Sequence, residues 1–90
     1  MINYVTKQPY TGKNFIALSM SGYDDPNFMT YKQAQEVGRQ VRKGEKGIGL
    51  MRVVTIKKRN RKTGELKMAH VPKYFTVFNI IQTDEPYGEI

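Results

Sequence analysis

Cysteine is missing from this sequence, and with it both disulfide bridges and thiolate metal sites. Tryptophan is also absent, histidine occurs once, at His70, and only 8 of the 90 residues are acidic. These shortages remove most groupings that carry chemistry. There is no Cys–His pair, no His-Glu-x-x-His zinc pattern and no P-loop. Asp24 and Asp25 are the only adjacent aspartates, and a turn beside Pro26 explains them better than a metal site, which needs more converging oxygens. His70, on a hairpin strand, reads as a surface or paired residue rather than a catalytic base. The expectation is a protein that is not an enzyme and needs no cofactor. Long apolar runs are lacking too. Nothing approaches the ~20 residues needed to cross a bilayer, and Met1 to Asn14 lacks the apolar centre of a signal peptide. A cytoplasmic location without a membrane partner is expected.

What is abundant is positive charge. Lys and Arg total 15, giving a formal net charge of +7. On so short a chain such a surplus raises the local concentration of polyanions and speeds encounter with them. Ninety residues make one domain with a thin core, drawn from the 39% of the chain that is apolar.

The hydrophobic pattern divides the chain into elements. Residues 1–13 read as an extended arm able to add an edge strand, with turns near Gln8-Pro9 and Thr11-Gly12. A short apolar helix is expected from Asn14, as N-cap, to Ser21, stopped by Gly22. Tyr23 to Met29 reads as a loop. Thr30 and Gln33 form a capping-box pattern, and Tyr31, Ala34, Val37 and Val41 then recur at helical spacing, which predicts a helix over 31–43 ended by Gly44. From Gly47 the period becomes two. A strand is expected there, then a polar hairpin tip over 57–65, a second strand over 66–71 interrupted by Pro72, a third over 74–78, and a loose tail over 83–90. Helices followed by strands argue for an α+β domain: two helices packed on one face of a small antiparallel sheet of about three strands, with a long basic hairpin.

The cations form two clusters. Arg39, Arg42, Lys43 and Lys46 lie at the end of the main helix and in the turn after it. Lys57, Lys58, Arg59, Arg61 and Lys62 lie at the hairpin tip, with Lys67 and Lys73 on the returning strands. Lys and Arg neutralise phosphates and release counterions without reading bases. Six Tyr and four Phe add rings on which bases can stack. Phe75 and Phe78 read as core, whereas Tyr31, Tyr74 and Tyr10 suit half-wet stacking positions. The plain alternative is a solvated charged face and an aromatic core.

Several blocks resemble a known family. Tyr10-Thr-Gly-Lys-Asn14, Gly22-Tyr-Asp-Asp-Pro26, Thr30 with Gln33-Ala34, Gly38, Val41-Arg-Lys-Gly-Glu-Lys-Gly47 and Phe75-Thr-Val-Phe-Asn79 with Gln82 stand in the order found in it. The sequence is similar to the N-terminal single-stranded-DNA-binding domain of ArdC antirestriction proteins and to part of TraC-type conjugative primases. The resemblance implies an α+β fold and sequence-independent binding of single-stranded DNA. It further implies a phage- or plasmid-borne role, antirestriction or protection of the incoming strand. It also singles out Asn79 and Gln82, which either hold structure or contact a ligand. Arg39 departs from the family, where a second Gly is common. The metalloprotease-like domain of ArdC-like proteins has no counterpart here, so no enzyme activity is carried over. The rival expectation is a small inhibitor that binds a host defence nuclease, restriction or CRISPR, directly through its basic surface. A separately encoded partner chain is a further possibility.

Overall fold

The computed structural model describes residues 1–85. Strand β2 (Asn27–Thr30) organises the core, because Phe28 and Met29 are both completely buried. Adjacent residues of a strand point to opposite faces. Phe28 clusters with Leu18, Leu50 and Val77, and Met29 clusters with Ala34 and Val41. Leu18 belongs to helix α1 (Gly12–Ser19) and Ala34 to helix α2 (Tyr31–Glu36). The two helices therefore cover opposite faces of the sheet, not one face as expected. The segment containing β2 had been read as a loop.

The fold is α+β, and its main sheet has four strands rather than three, in the order β1-β2-β5-β4. Strand β1 (Ile2–Asn3) is the edge strand foreseen in the N-terminal arm, and it runs parallel to β2. Strands β4 (Ile48–Arg59) and β5 (Leu66–Asn79) form a long antiparallel hairpin, paired from Ile48↔Val77 to Arg59↔Leu66. Strand β3 (Gln40–Val41) pairs with β6 (Thr83–Asp84) in a separate ribbon. Thr83 and Asp84 thus belong to structure, and the rest of the expected loose tail, from residue 86, lies outside the described residues.

Two expected boundaries move for identifiable reasons. Helix α2 stops at Glu36 because Gly38, at φ +79°, takes the left-handed position six residues before Gly44 could. The Arg39 N–H donates to the Ala34 carbonyl at 2.8 Å and the Gly38 N–H to the Gln35 carbonyl at 3.0 Å, which is a Schellman closure. Val41 is buried as expected, but from a strand. The two predicted return strands are one continuous strand through Pro72. Pro72 pairs with Val53, and β2 meets β5 only at Val77 to Asn79. The proline nitrogen therefore faces an open edge, where no ladder hydrogen bond is lost.

The capping box at Thr30 is present as read: Thr30 Oγ1 accepts from the Gln33 N–H, and Gln33 Oε1 accepts from the Thr30 N–H, both at 3.1 Å. Helix α1 begins three residues earlier than expected, with Thr11 rather than Asn14 as N-cap. It buries only Leu18 fully, leaving Phe15, Ile16 and Met20 exposed. The hairpin outgrows its helical cover, giving the molecule extents of 61 × 30 × 25 Å.

Candidate nucleic-acid interface

The hairpin register sets where the charges fall. Arg52 stands directly opposite Lys73, and Lys58 directly opposite Lys67. All four share one face, since they are separated by even numbers of residues along each strand. Like charges directly opposite each other are destabilising in a sheet. Neither pair has an acidic partner among the described residues, where both ion pairs belong to Arg42. Between the two basic rows lie the half-buried Val54–Val71 and Ile56–Ala69 pairs. Lys57 and Arg59 point to the other face, and Arg61 and Lys62 sit in the turn. That turn is held by Asn60, whose Oδ1 accepts from the Lys62 and Thr63 N–H groups at 2.8 and 3.3 Å.

The inner basic row borders a cleft of about 520 Å3. Arg52, Lys73 and Phe75 line it from the hairpin, Tyr10 and Asn14 from the arm and α1, and Gln33 from α2. Tyr10 is fixed edge-on to Phe28, with ring centres 6.5 Å apart. Burial raises the Tyr10 pKa above the usual phenol value, and the hydrogen bond from Asn3 partly offsets the rise. Asn14 was expected to cap α1. Instead its carboxamide binds the outer edge of β4, donating to the Met51 carbonyl at 2.9 Å and accepting from the Met51 N–H at 3.2 Å.

Other expected site residues take structural roles. Arg42 donates to the Ile81 carbonyl at 2.6 Å and pairs with Glu45 and Asp84 at 3.3 and 3.5 Å. Arg39 Nε donates to Thr83 Oγ1 at 2.7 Å. Both fasten the segment around β3 to the chain after β5. Asn79 and Gln82 are buried, and they form a second capping box around the 3-10 turn Ile80–Gln82. Gln82 Nε2 donates to the Lys46 carbonyl at 2.8 Å and to Glu45 Oε1 at 3.1 Å, and Asn79 Nδ2 donates to the Asp25 carbonyl at 2.8 Å. Their side chains hold the 42–47 turn and the loop before β2, and they are not offered to a ligand. Asp25 Oδ1 accepts from the Asn27 N–H at 2.9 Å, the turn role weighed for it, and no acidic or histidine cluster able to hold a metal occurs among the described residues. Among the described residues the His70 ring hydrogen-bonds only with Thr55 Oγ1, at 3.1 Å.

Lys43 and Lys46 remain exposed, and Lys43 borders a shallower cleft with Tyr31, whose ring meets Phe78 edge-on at 6.5 Å. The two basic clusters do not merge. The twelve residues of β4 separate them by about 40 Å at ~3.3 Å per residue. Tyr74 is 78% exposed and stands at the rim of the cleft, on the strand face opposite to Lys73. Met51, Val53, Leu66 and Met68, all exposed, share its face. Arg52 stands outside the two cation clusters singled out from the sequence. Counting back equally from the hairpin turn puts Lys73 opposite it, and that doubled charge was the available signal.

Known proteins resemble this chain in part and in whole. An aligned segment of 46 residues, 51% of the chain, is 52% identical to DNA primase TraC of Escherichia coli and covers 4% of that protein. A second TraC primase from Escherichia coli is 54% identical over 46 residues. The metal-free crystal structure of antirestriction protein ArdC from plasmid R388 superposes with a TM-score of 0.83 at 38% identity. It covers 92% of this chain and 31% of that one. The Mn(II)-bound ArdC structure gives a TM-score of 0.72 at 34% identity. The chain thus spans about a third of ArdC and a small fraction of the primases. Residues 1–78 match the N-terminal domain of anti-restriction factor ArdC, and the chain belongs to that family.

Proposed function

We propose that this chain is a single-stranded DNA-binding module of a mobile genetic element, sequence-independent in its main contacts and without a catalytic step of its own. The observation that carries the reading is the pair of acid-free basic rows, Arg52–Lys73 and Lys58–Lys67, on one face of the hairpin. Juxtaposed cations that repel each other in the free protein are relieved by a polyanion, and releasing its counterions drives binding. The cleft beside the inner row adds the rings of Tyr10 and Phe75, with Tyr74 at its rim, and a basic track with rings suits an unpaired strand better than a duplex. Lys58 and Lys67, with Arg61 and Lys62 in the turn, carry the track to the hairpin tip, and Lys57 and Arg59 add charge on the other face. Lys43, Lys46 and Tyr31 form a separate, weaker contact at the other end. Family membership supports the biological side: binding of the incoming strand would serve antirestriction or its protection. Fluorescence anisotropy with a labelled single-stranded oligonucleotide, competed by duplex DNA and by single-stranded RNA, tests this. Preference for single-stranded DNA supports the reading, and absence of binding at low salt refutes it.

A second reading, direct capture of a host defence nuclease, draws on the exposed apolar face formed by Val53, Leu66 and Met68. Binding to a purified restriction nuclease without DNA, lost when these residues are made polar, would favour it.

A further inference from the structure

Two sets of backbone contacts fix the orientation of the amides around the cleft. Asn3 Oδ1 accepts from the Val5 and Thr6 N–H groups, both at 2.9 Å. Its Nδ2 must therefore face the other way, and it donates to Gln33 Oε1 at 2.8 Å and to Tyr10 Oη at 3.0 Å. Gln33 Oε1 also accepts from the Thr30 N–H. Flipping either amide would set donor against donor, so the assignment follows from the network. Asn3 is fully used by these contacts. Gln33 Nε2 and the Tyr10 hydroxyl proton are left without an acceptor among the described residues. Both groups line the cleft beside Arg52 and Lys73, which can only donate. Thr6, Gln8 and Thr11 carry both kinds of group and favour neither, so Gln33, Tyr10, Arg52 and Lys73 tip the lining towards donors.

Resting on the strand-binding reading above, we infer that this cleft is a base subsite selective for the keto edge of a pyrimidine, thymine or uracil, over adenine. Thymine offers two carbonyl oxygens as acceptors, whereas the exocyclic amine of adenine would meet the donors of Gln33 and Tyr10 head-on. Arg52 and Lys73 take the adjoining phosphate, and Tyr10 and Phe75 supply the apolar surface against which the ring lies. The cleft, at about 520 Å3, lies in the size range of small-molecule sites.

The test uses strands of abasic spacer units carrying one central thymine or one central adenine, which removes stacking within the probe, with the all-abasic strand as carrier. Wild-type protein should bind the thymine probe about three- to tenfold more tightly than the adenine probe, the effect of one or two neutral hydrogen bonds. Tyr10→Phe keeps the ring and removes one donor. Gln33→Glu keeps the acceptor used by Thr30 and Asn3 and removes the other. Tyr10→Phe should bring the thymine-to-adenine ratio towards one, and Gln33→Glu should bring it to one or below, because its carboxylate repels the phosphates of both probes alike but accepts from the adenine amine. Circular dichroism checks folding, and if Gln33→Glu fails to fold, Tyr10→Phe decides alone. Equal binding of the two probes by wild-type protein, or a thymine preference that survives both variants, overturns the subsite and leaves strand binding standing. Failure to bind even the carrier at low salt overturns both.

Discussion

The Asn14 carboxamide and the Met51 backbone are joined as two strands would be, one N–H donated in each direction, at 2.9 and 3.2 Å. This contact ties α1 to the open edge of β4 across 37 residues of sequence and positions one wall of the cleft. Asn14→Ala should lower stability by about 1 kcal/mol, since both bonds are partly open to water. It should weaken binding of single-stranded DNA further than the loss of stability accounts for. Urea unfolding followed by circular dichroism, set beside anisotropy, measures the two effects separately.

Arg42, unlike Lys43 and Lys46, bonds within the protein, to the Ile81 carbonyl, Glu45 and Asp84. Arg42→Ala should destabilise the fold by about 1 kcal/mol, a value discounted because the side chain is part-exposed. Lys43→Ala and Lys46→Ala should change stability by no more than about 0.5 kcal/mol. Denaturant midpoints of the three variants check the ordering.

Gly47 sits where the chain enters β4 with no room for a side chain. A Cβ there would collide with Thr76 Cγ2 and lie 2.9 Å from the Val77 carbonyl oxygen and 3.1 Å from the Phe78 ring. Gly47→Ala should cost about 1–3 kcal/mol. Gly49→Ala, facing open space two residues on, should be nearly neutral. Thermal unfolding of the pair distinguishes close packing from a general glycine effect.

Tyr10 gives an alkaline signature. Its pKa is raised in the fold above the ordinary value of 10.0, because burial favours the neutral phenol. Its contribution to stability is complete below the unfolded pKa and is lost as pH rises through the folded one. The stability difference between wild type and Tyr10→Phe should be flat from about pH 7 to 9 and should shrink in favour of the variant above about pH 10. Urea titrations across that range measure it.

The sequence carried some of these features openly and hid others behind register. The Thr30–Gln33 capping box was legible because it is local. The same four-residue logic, Asn79 to Gln82, was legible too, but the pair was left open between a structural and a ligand-contacting role. The end of α2 was missed because two glycines, Gly38 and Gly44, both suit a helix stop, and both take positive φ. Strand β2 could not be read from Phe28 and Met29 alone, since two apolar residues become a strand only when β1 and β5 flank them. The unbroken run of β5 through Pro72 depends on which way one nitrogen faces, and pairing settles that, not composition. In the cleft, Tyr10, Tyr74 and Lys73 were foreseen one by one. Their meeting with Arg52, Asn3 and Gln33 was not, because it joins the first residues of the chain to the middle of the hairpin.

If the inner basic row holds phosphates, the salt dependence of binding must change in the double variant Arg52→Ala/Lys73→Ala. Wild-type protein should bind a single-stranded oligonucleotide with a log–log salt slope of roughly −2 to −4, each contact adding about −0.7. The double variant should remain folded and lose about 1.4 from the magnitude of that slope, equally for all sequences. A folded double variant with wild-type affinity and slope would mean that Arg52 and Lys73 hold no phosphate.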